Sequence, residues 1–106
     1  MTSQEPSNPV VRRLVAAIND SDRDAFLATL TPNATLTDDG NPRSLTDWID
    51  REVFSVHGHI SVECEQEEDG LHLLARYRND TWGEMSTYWR FQVTGDKISR
   101  IDTGQA

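Results

Sequence analysis

The sequence predicts an α+β domain in which three N-terminal helices cover one face of a curved antiparallel sheet. Apolar residues recur at helical spacing as far as Phe54, and from Ile60 onward the period changes to two. Turn signals at Asp69-Gly70 and Thr94-Gly95 cut the alternating half into strands. Helices grouped ahead of strands, rather than alternating with them, put the helices on one side of an antiparallel sheet.

Residues 1–8 read as a disordered Ser/Gln/Glu/Pro/Asn tail, and 9–106 as one domain. Asn8 caps the first helix, with Pro9 at a position where a missing N–H costs nothing. Its apolar stripe is Val10, Val11, Leu14, Val15 and Ile18. Ser21 or Asp22 caps a second short helix that turns Ala25, Phe26, Leu27 and Leu30 inward and stops at Thr31-Pro32. A strand through Ala34–Asp38 follows, then the turn Asp39-Gly40-Asn41-Pro42. Ser44 caps a third helix with the stripe Leu45, Trp48, Ile49 and Val53.

In the second half Ile60, Val62 and Cys64 alternate with polar residues, as do Leu71, Leu73, Ala75 and Tyr77. Met85, Thr87, Trp89, Phe91 and Val93 continue the pattern, and Ile98 to Thr103 closes it. The other face carries Leu74, Arg76, Tyr88 and Arg90, mixed enough for solvent or a partner subunit.

Composition narrows the function classes. With 106 residues, 36% hydrophobic and 26% charged, the chain supports one globular core. A net charge of −8 opposes a nucleic-acid or anionic-membrane partner, and no apolar stretch is long enough to span a bilayer. Cys64 is the single cysteine, so a reducing, cytoplasmic location is expected, with the thiol buried and inert. His57, His59 and His72 lack a third ligand placed by spacing, so neither a metal nor any other cofactor is expected.

Asp38 is the candidate of most interest. Side chains alternate along a strand, so Asp38 shares a face with Leu36 and points inward if Leu36 does. A desolvated carboxylate is driven toward neutral pKa and can take a proton from carbon or water. The competing reading makes Asp38-Asp39-Gly40 plain turn chemistry. Trp48, Tyr77, Trp82, Thr87 and Trp89 read either as pocket walls or as ordinary core, with Trp82 at the mouth. Arg100 and Asp102 read as a surface ion pair.

The chain resembles the NTF2-like superfamily, in its SnoaL-like and ketosteroid-isomerase-like group. The likeness is carried by Val11 to Asn19, the Asp22 to Phe26 elbow and Pro32 to Leu36. It continues through the turn at Gly40, Trp48-Ile49, and Tyr88 to Phe91 with Gly95 to Ile98. The resemblance implies a cone with a pocket at its open end, often dimeric through the sheet face. It implies a small apolar ligand in that pocket and Asp38 at the position of the isomerase base. The oxyanion-donor positions of that enzyme correspond to Leu14 and Thr87, so Leu14 joins the expected pocket residues. Leucine donates no hydrogen bond, and each lost oxyanion donor costs roughly 10²–10³ in rate, which disfavours steroid isomerisation. The alternative is a non-catalytic module that dimerises or docks a partner.

Overall fold

The computed structural model describes residues 6–67 and 69–106. Helix α1 (Pro9–Asn19) starts at Asn8, whose side chain accepts from the backbone N–H of Val10 and Val11. Helix α2 (Arg23–Ala28) starts at Asp22, which accepts from Ala25 N. Of the tail expected over 1–8, residues 1–5 lie outside the described residues. Pro6 is buried, and Ser7 donates through its backbone N–H and its hydroxyl to the Glu65 carboxylate.

Six strands form one sheet: β1 (Leu30–Asp38), β2 (Asn41–Arg43), β3 (His59–Glu65), β4 (His72–Asn79), β5 (Gly83–Thr94) and β6 (Lys97–Gln105), in the order β2-β1-β6-β5-β4-β3. The expected antiparallel sheet is corrected at one seam: β1 runs parallel to β6, with Leu36 opposite Ile101 and Asp38 opposite Thr103. Three further differences are local. Leu30, read as part of the second helix, opens β1, and a register shift between Leu30 and Thr35 accommodates Pro32, which has no N–H for a ladder. The turn at Asp39-Gly40 has positive φ at both residues (51° and 83°), the geometry of a tight hairpin, so Asn41–Arg43 folds back as β2. Cys64 is half-buried rather than buried, because a register shift between Val62 and Cys64 breaks the alternation there.

Helix α3 (Leu45–Ile49) passes into a π-helical turn over Asp50–Phe54. Ser44 occupies its N-cap position, but its side chain makes no capping hydrogen bond. The core lies between the helices and the concave face of the sheet: Val11, Leu14 and Ile18 of α1 meet Leu36, Leu73, Phe91 and Ile101, all nearly solvent-free. Phe26 and Phe54 meet edge to face at 5.7 Å and join α2 to the π turn. No helix among the described residues is long and apolar enough to cross a membrane.

Candidate functional site

Parallel pairing of β1 with β6 sets the site. Across β1, β6, β5 and β4, Asp38, Thr103, Trp89 and Leu73 stand opposite one another in a single row. Because residues in register on a sheet share a face, the Asp38 carboxylate and the Trp89 indole open to the same concave side. One end of that side is filled by the core. The other holds a cavity of about 510 Å³, within the range of small-ligand pockets.

Six of the seven residues singled out in the sequence line this cavity: Asp38, Trp48, Tyr77, Trp82, Thr87 and Trp89. Leu14 sits instead in the fully buried core beneath it and is not among the lining residues. Trp82 stands at the mouth with 63% of its surface exposed. Thr87 is buried, and its hydroxyl donates to Ala75 O at 2.9 Å while accepting from Trp89 Nε1 at 2.9 Å.

Asp38 is half-buried rather than sealed. Its Oδ2 accepts from Trp48 Nε1 at 2.9 Å, which ties the end of β1 to α3. Trp48 stacks edge-on to Trp89 with centroids 6.3 Å apart, and Tyr77 tilts against Trp89 at 6.0 Å. These rings form an apolar wall whose polar edges are already hydrogen-bonded.

Sequence reasoning missed Glu52, Asn79 and Arg43. Glu52 lies on the π turn, four residues after Trp48, so both fall on one helical face; that spacing was a usable signal. Its Oε2 accepts from Trp82 Nε1 at 3.0 Å, and its backbone carbonyl accepts from Tyr77 Oη at 2.5 Å and Asn79 Nδ2 at 3.0 Å. The buried Asn79 also accepts from the backbone N–H of Thr81 (3.1 Å) and Trp82 (2.7 Å), fixing the β4–β5 turn. Burial raises the Tyr77 hydroxyl pKa well above its ordinary 10.0, against a smaller lowering by its contact with Asn79. Arg43 reaches the cavity from β2, a strand the sequence did not announce.

The remaining candidates fall elsewhere. Arg100 pairs with Asp102 at 3.1 Å on the outer face, with Ile101 inward between them. His57 pairs with Asp80 at 2.6 Å, His59 with the His57 carbonyl, and His72 lies 3.5 Å from Asp69, so the three do not converge. Among the described residues no group of three His, Cys, Asp or Glu side chains is placed to hold a metal ion.

The architecture is the NTF2-like cone: helices inside a curved sheet, with a pocket at the open end. A Cytophaga hutchinsonii NTF2-like protein of unknown function superposes with a TM-score of 0.77 at 15% identity, covering 100% of this chain and 95% of that one. A Mycobacterium tuberculosis protein in complex with estradiol-17β-hemisuccinate gives 0.75 at 12% identity, covering 94% and 93%. A candidate polyketide cyclase from Sinorhizobium meliloti gives 0.68 at 20% identity, covering 89% and 92%. At these identities the likeness is one of fold. No family model and no curated protein matches the chain.

Proposed function

We propose that the cone binds a small, largely apolar molecule and that Asp38 is the polar group this molecule meets. The observation that carries the reading is a half-buried carboxylate opening, beside Trp48 and Trp89, into a cavity of about 510 Å³. The Mycobacterium tuberculosis neighbour, held with a steroid ester, supports a ligand of that size class. A carboxylate at this position can anchor a polar end or take a proton from a C–H or O–H held against it, the chemistry of an isomerase, cyclase or hydratase. With Leu14 in the core and the Thr87 hydrogen donated to Ala75, neither expected oxyanion position offers a donor, so anchoring is the better supported role.

The test is thermal unfolding with estradiol-17β-hemisuccinate and other compact apolar compounds. At least one is expected to raise the Tm, and Met85→Trp, which fills the cavity, to abolish the rise while leaving the protein folded. If no apolar compound raises the Tm, the reading is wrong.

A second reading makes the outer sheet face a homodimer interface, with or without ligand chemistry inside. It rests on Leu74 and Tyr88, which face each other across β4 and β5 on that side and stand half-buried among Arg76 and Arg90. Sedimentation should then show a dimer that Leu74→Glu converts to monomer. A cytoplasmic location belongs to the same proposal, on the strength of the single free Cys64.

A further inference from the structure

We infer, building on the reading of the cone as a ligand site, that its ligand is a cationic amphiphile: an apolar body carrying a protonated amino group. That group would meet the carboxylates of Asp38 and Glu52, both of which line the cavity.

Hydrogen-bonding capacity around the cavity is lopsided. Every indole N–H on its wall is already donated, from Trp48 to Asp38, from Trp82 to Glu52 and from Trp89 to Thr87. The hydroxyl hydrogens are spent as well, from Tyr77 to the Glu52 carbonyl, from Thr87 to the Ala75 carbonyl and from Thr103 to the Tyr88 carbonyl. The side-chain donors left are the Arg43 guanidinium and the Gln105 carboxamide, both on exposed residues, and the second N–H of Asn79.

Acceptors remain in excess. Among the described residues Asp38 Oδ1 has no hydrogen-bond partner, whereas the Asp39 carboxylate lies on the outer side beside Gly104 and Tyr88, accepting from the Gln105 backbone N–H at 3.0 Å. Glu52 meets the Trp82 indole and a long 3.3 Å contact from Arg51. An ionised carboxylate offers about four lone-pair sites, so most of this capacity is open to a ligand. A ligand whose polar end accepts finds mainly the rim arginine. One whose end donates finds two carboxylates.

Charge separates an amine from an alcohol. Two carboxylates, Asp38 and Glu52, against one guanidinium leave the cavity net negative, in a chain of formal charge −8. Low-dielectric aromatic walls focus that field, and an ammonium near the indole and phenol rings gains cation–π attraction too. An ammonium also brings three donors where a hydroxyl brings one.

The experiment compares 1-aminoadamantane, 1-adamantanol and 1-adamantanecarboxylate, which share one apolar cage, by tryptophan fluorescence titration at pH 7 and low salt. The amine is expected to bind about tenfold more tightly than the alcohol, and the carboxylate most weakly. Raising the salt should narrow the gap. The double variant Asp38→Asn/Glu52→Gln, checked for retained folding by its Tm, should bring the amine down to the level of the alcohol. Equal binding of amine and alcohol to the native protein would remove the cation while leaving the cone a ligand site. Tightest binding of the carboxylate would reverse the assignment in favour of Arg43. Failure of all three to bind in the millimolar range would remove the ligand site and this inference together.

Discussion

The indole of Trp48 donates to the Asp38 carboxylate at 2.9 Å, joining the end of β1 to α3 beside the cavity. The bond holds one carboxylate oxygen and leaves the other to the cavity. Asp38→Asn retains an oxygen to accept from the indole, while it removes the charge and turns the free oxygen into an NH2 donor, so it should change stability by less than about 1 kcal/mol. Trp48→Phe deletes the donor to an ionised group and should cost about 1–2 kcal/mol. Urea unfolding checks both. In ligand titrations the order should reverse, with Asp38→Asn the more damaging for a ligand that carries a donor.

Thr87 satisfies two buried groups at once, the Ala75 carbonyl and the Trp89 indole N–H. Thr87→Val keeps the shape but leaves both without that partner in a buried setting, at a cost of about 1–3 kcal/mol. Thr87→Ser keeps the hydroxyl and should lose less, mainly the buried methyl at about 1 kcal/mol. A valine variant as stable as the serine variant in chemical denaturation would contradict the role given to this hydroxyl.

Asn79 and Trp82 are neighbours in sequence with opposite expected effects. Asn79→Ala removes a side chain that holds the Thr81 and Trp82 amides and reaches the Glu52 carbonyl, and should cost about 2–3 kcal/mol. Trp82→Ala acts on a residue 63% exposed, with one hydrogen bond to Glu52, and should change stability by about 0.5 kcal/mol or less. Its effect should appear instead in ligand dissociation, as a faster off-rate through a wider mouth.

Elements built from local periodicity were legible in the sequence, and pairings between distant segments were not. The stripe Val10, Val11, Leu14, Val15 and Ile18 and the alternation through Trp89 and Phe91 each report one buried face, and both stand where the pattern put them. The parallel seam of β1 on β6 joins residues more than sixty positions apart, and no local pattern encodes it. Yet that seam sets Asp38 in line with Thr103 and Trp89. The aromatic lining was legible because large apolar residues on an inward face end either in the core or in the pocket. Leu14 took the first course and Trp48 took both, buried at 6% exposure while still bordering the cavity. Glu52 was overlooked because a charged residue beside the apolar stripe Ile49, Val53 and Phe54 reads as helix surface, although it follows Trp48 by four residues. Arg43 was hidden because three exposed residues after a tight turn carry no apolar signal.

The Tyr77 hydroxyl donates to the Glu52 carbonyl at 2.5 Å from a buried position, and burial raises its pKa above the ordinary 10.0. Below pH 10 the hydroxyl is protonated in both folded and unfolded chains and contributes no pH dependence. Above it the unfolded chain loses the proton first, so the folded protein binds more protons and stability falls as pH rises. The stability is therefore present below the unfolded value and is lost as pH climbs toward the raised folded one. Tyr77→Phe removes the titrating group along with one of two donors to the Glu52 carbonyl; Asn79 still serves that oxygen, so the cost at pH 8 should be only about 1 kcal/mol. Between pH 9 and pH 11 the native Tm should then drop more steeply than that of the phenylalanine variant. Parallel decline of the two curves would show that the Tyr77 hydroxyl ionises as easily in the folded chain as in the unfolded one.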